Sequence, residues 1–249
     1  MSIAYPLTFL DLCQRTQSEC GVSGALISNT VGQTGELQRV VNWVSSAWID
    51  IQNSHQDWDF FRTTATFPTD TLKTVYRLED CGIVDPTTFN YWARDSFRNY
   101  VTATGIISEV FMEYMGSYDR WRDAYLYGAL RFTRTRPIVI SIAPDKSICP
   151  GPIAADGYTI VGDYFIAPQP MILSTDTPSS VSAAVGIAGV KEPIPQQWNM
   201  AIVYNAMMSY GTYENAQEVY NRGEEQFNKL IKRLDSDRLP EIKGSGCLA

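Results

Sequence analysis

Between Ala216 and Leu234 apolar residues return at steps of three and four: Ala216, Val219, Tyr220, Gly223, Phe227, Leu230, Ile231 and Leu234. That spacing lines one face of a 3.6-residue helix. The opposite face is charged or polar from Glu214 to Arg233, with Glu218–Arg222 and Glu225–Lys229 spaced i,i+4 for ion pairing. The preceding stretch, Trp198 to Tyr210, is apolar on most sides, the pattern of a helix that is buried. Gly211-Thr212 between them reads as a breaker followed by an N-cap, so the two stretches are predicted to form an antiparallel helical hairpin. Near the N-terminus, Thr8 to Cys20 reads as a helix with a capping-box start at Thr8 and Asp11 and a stop at Gly21. A second amphipathic helix is predicted to begin at a Thr34 cap, with Glu36 in its first turn. Its stripe is Leu37, Val40, Val41, Val44, Ala47, Trp48 and Ile51, and it is the natural partner of the C-terminal hairpin.

The middle of the chain changes period. Trp58 to Phe67 is rich in aromatic and β-branched residues, Pro68-Thr69-Asp70 turns it, and Leu72 to Arg77 reads as the return strand. Phe97 to Val101 and Ile106 to Met115 are further strand candidates around Gly105. Ser117 to Gly128 interrupts them with a short capped helix. Alternating Ile138, Ile140 and Ile142, a Pro144-Asp145 turn and Ser147 to Pro150 then predict a hairpin. Tyr158, Ile160, Gly162, Tyr164 and Ile166 extend it to a three-stranded meander beyond a second turn at Ala155-Asp156-Gly157. The expected class is therefore α+β: a discontinuous helical bundle (1–56 and 193–249) holding an inserted antiparallel β domain, sandwich- or barrel-like, over 57–171. Residues 172–192 read as an irregular connection and 239–249 as a C-terminal arm.

Composition narrows the function. The chain has 249 residues, 45% hydrophobic and 12% aromatic, enough for a sizeable core and broad contact surfaces. A net charge of −7 argues against a protein whose task is gripping nucleic acid phosphates. The five cysteines (Cys13, Cys20, Cys81, Cys149 and Cys247) are odd in number and unpaired by spacing, which predicts reduced thiols and no zinc site. The N-terminus lacks signal-peptide features, and no apolar run approaches the roughly 18 residues of a membrane span.

Catalytic constellations are not apparent. His55, the single histidine, follows the second helix without a nearby nucleophile or second ligand and reads as a polar junction residue. No nucleophile elbow, phosphate loop or zinc-protease motif occurs. Paired carboxylates such as Asp119 with Asp123 read as solvated faces. No catalytic residue, metal ligand or cofactor is therefore expected. The distinctive stretch is Asp119-Arg120-Trp121-Arg122-Asp123, with charges on both sides of a tryptophan. It is either a capped surface helix with local ion pairs or a subunit contact anchored on Trp121 and an arginine. The tail from Leu239 is either a disordered terminus or an extended arm with apolar residues to dock.

Several stretches carry a resemblance. They include Leu10-Asp11-Leu12 through Gly24, Thr34-Gly35-Glu36 through Trp48, Ile51-Gln52 with Trp58, and Tyr118-Asp119-Arg120-Trp121-Arg122. Further on come Arg136-Pro137, Ile142 to Lys146, Tyr158 to Tyr164, Thr175-Asp176-Thr177-Pro178, Tyr210 to Glu214, and Leu234 to Pro240. Taken in order over nearly the whole chain, they resemble the phage portal-adaptor (head–tail connector) proteins, the Su10 adaptor-like family. The stretch from Pro178 to Trp198 is longer than the family's usual run into the C-terminal helices.

The resemblance implies a structural virion protein at the head–tail interface, made in the host cytoplasm and free of enzymatic activity. It implies a homo-oligomeric ring, usually of twelve copies, beneath the portal protein. Such a ring extends the channel through which double-stranded DNA passes without specific binding and offers a platform to tail and nozzle proteins. An acidic wall suits passage of DNA. Candidate portal or subunit contacts are Tyr118, Arg120, Trp121, Arg122, Leu239, Pro240, Ile242 and Leu248. The rival expectations are a β-rich receptor- or glycan-binding tail protein using exposed aromatics, and a hydrolase whose acid pair is not visible in one dimension.

Overall fold

The computed structural model describes residues 7–178 and 196–239. The fold is mixed α+β. Helices α1 (Phe9–Cys20) and α2 (Gly35–Ser54) precede strands β1 (Arg62–Pro68), β2 (Phe89–Trp92), β3 (Arg98–Val101), β4 (Val110–Phe111) and β5 (Glu113–Tyr114). Helix α3 (Tyr118–Tyr125), strands β6 (Val139–Ile142), β7 (Ile148–Gly151) and β8 (Tyr158–Ile166), and helices α4 (Met200–Tyr213) and α5 (Gln217–Arg238) follow. The chain divides into two compact units, one running from Arg62 to Ala167 and one drawn from the segments before and after it. No described helix is long and apolar enough to cross a membrane.

In the helical unit α4 packs against α1, α2 and α5. Ala201, Ile202, Val203, Ala206 and Met207 are buried, and no residue of α4 before Thr212 is exposed, as its all-round apolar pattern requires. The α1 capping box is present: Thr8 Oγ1 accepts from Asp11 N at 3.1 Å while Asp11 accepts from Thr8 N at 2.9 Å. Two free N–H groups of the first turn of α1, those of Phe9 and Leu10, donate to the carbonyls of Asp176 and Ser174, which ties the stretch after Pro168 to this helix. Gln169 is held likewise, its carbonyl accepting from both Trp48 Nε1 and Gln52 Nε2. Thr34 does occupy the N-cap position of α2, but its side chain makes no capping bond.

The hairpin joint differs from the sequence expectation. Helix α4 runs through Gly211 and Thr212, and the chain turns at Glu214–Ala216, where Asn215 adopts a left-handed φ of 54°. Gly211 is a packing residue rather than a breaker. A Cβ there would lie 2.8 Å from the backbone nitrogen of Tyr220, and one on Gly223 would lie 2.9 Å from the carbonyl oxygen of Tyr204. The two glycines let α4 and α5 approach backbone to backbone.

In the β unit the nine-residue β8 is the centre of a five-stranded sheet ordered β1-β8-β3-β4, with β2 also paired to β8. All these pairings are antiparallel. Buried residues face buried residues across the β1–β8 register: Thr63 opposite Tyr164, Ala65 opposite Gly162, Phe67 opposite Ile160. On the other face Asp163 accepts from Arg62 Nε at 2.9 Å and Thr64 Oγ1 at 2.7 Å. Gly162 leaves room for the Phe97 ring, which a Cβ would overlap. A second sheet is ordered β5-β6-β7, with β5 parallel to β6 and β6 antiparallel to β7.

Two strand expectations are corrected. Residues 72–77 do not return along β1; β8 takes that place, and of this stretch only Tyr76 joins a ladder, as a bridge to Ile148. The corner explains it. Asp70 Oδ1 accepts from Leu72 N, and Asp156 Oδ1 accepts from Thr71 N, so the chain is pulled away from β1. The predicted meander is also broken. β6 and β7 pair as expected, but Ala154 bridges Thr135 and Asp156 is held by Thr71, which carries β8 into the other sheet.

Candidate functional site

The distinctive stretch forms α3 in the β unit. Ser117 caps it, its Oγ accepting from Arg120 N at 3.3 Å, and Asp119 pairs with Arg122 at 3.2 Å, i,i+3. Trp121 points inward. It is fully buried among Ala143, Cys149, Val75, Met115, Tyr118, Tyr125 and Leu126, and its Nε1 donates to the Pro150 carbonyl at 3.1 Å. Gly151 is required beneath it, since a Cβ would stand 2.6 Å from the Tyr125 ring and 3.1 Å from Trp121 Nε1. The expectation that Trp121 anchors a subunit contact is corrected on this ground: an indole with no exposed surface is core. Of its neighbours Arg120 is exposed, while Tyr118 and Arg122 are half-buried.

Tyr118 stacks on Trp121 at 5.8 Å and opens on its other side to a cleft of about 640 Å³. The cleft is lined by Leu72, Lys73, Arg77, Pro144, Asp145 and Ser147 among others. Its polar groups are largely committed. Lys73 Nζ bonds Asp80 at 2.5 Å, which raises the ammonium's pKa, and the same bond with that of Arg77 N helps hold the Asp80 carboxyl low against its burial. Ser147 donates to Asp145 Oδ2 at 2.9 Å and also bonds it through its N–H. This is a local turn between residues two apart, with no imidazole to take a proton, so the pair lacks the base of a nucleophilic triad.

A second surface, in the helical unit, escapes pattern reading. Trp43 lies off the apolar stripe of α2, against Tyr210 at 5.8 Å and Tyr213 at 5.5 Å. The Arg39 guanidinium sits over the Tyr213 ring at 4.4 Å and its Nη1 donates to the Tyr213 hydroxyl. Tyr213 is 50% exposed, Arg39 is exposed, and Trp43 and Tyr210 are half-buried. Burial first, then the nearby Glu214, Cys20 and Glu36, push the Tyr210 phenol above its ordinary value. The signal in the sequence was a tryptophan outside the stripe, one helical turn from an arginine.

At the other end of the unit His55 Nε2 meets Asp235 at 3.2 Å, its ring edge-on to buried Trp58 at 4.9 Å, and Asp59 meets Arg238 at 3.4 Å. His55 is thus the polar junction residue expected. Leu239 closes α5, half-buried, its N–H donating to the Asp235 carbonyl. Pro240, Ile242 and Leu248 lie outside the described residues. Cys13, Cys20, Cys81 and Cys149 are free and buried. Burial pushes the thiols of Cys13, Cys20 and Cys149 from 9.0 up to about 12 and that of Cys81 up as well, so none is poised as a nucleophile. No group of histidine, cysteine and carboxylate side chains among the described residues could hold a metal ion. Set against known proteins, the chain matches no protein-family model and no curated protein.

Proposed function

We propose that this chain is a non-enzymatic adaptor of a tailed phage, forming a ring beneath the portal protein at the head–tail junction. In this reading the helices of both chain ends make one discontinuous bundle, and Arg62–Ala167 is an inserted sandwich-like β unit that faces the tail. The observation that carries the reading is the Arg39–Trp43–Tyr210–Tyr213 surface. Tryptophan, tyrosine and arginine are the side chains that dominate binding energy at protein interfaces, and here they stand together on rigid helices. The in-order resemblance to portal adaptors supports the same assignment. The net charge of −7 per copy suits a channel wall past which DNA slides without adhering.

Negative-stain imaging of the purified protein, alone and with the portal of the same phage, tests the proposal. Closed rings, twelve-fold on the portal, are the expected result. Monomers under both conditions would overturn it.

A further inference from the structure

We draw no further inference here: the strongest candidate, the cleft of the β unit between residues 72–77, Tyr118 and the turn at 144–147, has Lys73 and Asp145 committed to bonds within the chain, and nothing in the structure shows what occupies it.

Discussion

Gly211 and Gly223 show how one residue can decide a helix pair. In an exposed helix interior, alanine in place of glycine stabilises by about 1 kcal/mol. Here the added methyl of Gly211→Ala meets the Tyr220 backbone at 2.8 Å, and that of Gly223→Ala meets Tyr204 O at 2.9 Å and Met207 Cβ at 3.2 Å. The helices must part, so each substitution is expected to destabilise by about 1–3 kcal/mol in urea titrations followed by helical signal. A gain in stability would show that the two backbones are not in contact. Gly223 was legible as part of a stripe, but Gly211 read as a stop, because a glycine marks a chain break and a close approach with the same letter. Tryptophans posed the same difficulty. Charges on both sides suggested an exposed Trp121, yet on a helix of eight residues only one side faces in, and the indole fills it. Trp121→Phe removes the bond to Pro150 and should cost about 1 kcal/mol of stability while leaving association of copies unchanged. Lost association at unaltered stability would contradict its place in the core.

At the scale of elements, the sequence announced both N-terminal helices and placed a threonine before each, but only one threonine caps. Thr8 exchanges bonds with Asp11, whereas Thr34 makes none. Thr8→Ala should therefore cost about 1 kcal/mol and Thr34→Ala close to nothing, measured as paired shifts in denaturation midpoint. Equal costs would show that the two caps are equivalent in solution. The strands were legible one by one and not as a sheet. The alternation of β8 is plain, and Ile160, Gly162, Tyr164 and Ile166 do share a buried face. Its partner β1 lies far back in the chain, and the signals that send it there are two aspartates, Asp70 and Asp156, bonded to nearby backbone. Alternation reports which face is buried, while pairing across a long loop depends on contacts that leave no periodic trace. The aromatic surface was hidden for a related reason: Trp43 and Tyr213 are far apart in sequence, and only the α2–α4 packing joins them.

Across the whole molecule, both units bury groups that ionise only at alkaline pH. The helical unit holds Cys13 and Cys20, raised from 9.0 to about 12; the β unit holds Cys149, raised likewise, Cys81, also raised, and Tyr164, raised from 10.0 to about 12. Burial, which disfavours the charged form, is the leading cause in every case. A thiol whose folded pKa exceeds its unfolded one stays protonated in the native state while the unfolded chain releases its proton. Between the two values the native state binds more protons, and stability falls as pH rises. The contribution is fully present below pH 9 and is lost progressively toward pH 12. Urea midpoints should accordingly hold steady to about pH 8 and decline above pH 9. Cys13→Ala and Cys149→Ala should each flatten the decline. Midpoints that stay level through pH 11, or rapid labelling of these four thiols in the native protein at pH 8, would contradict their burial.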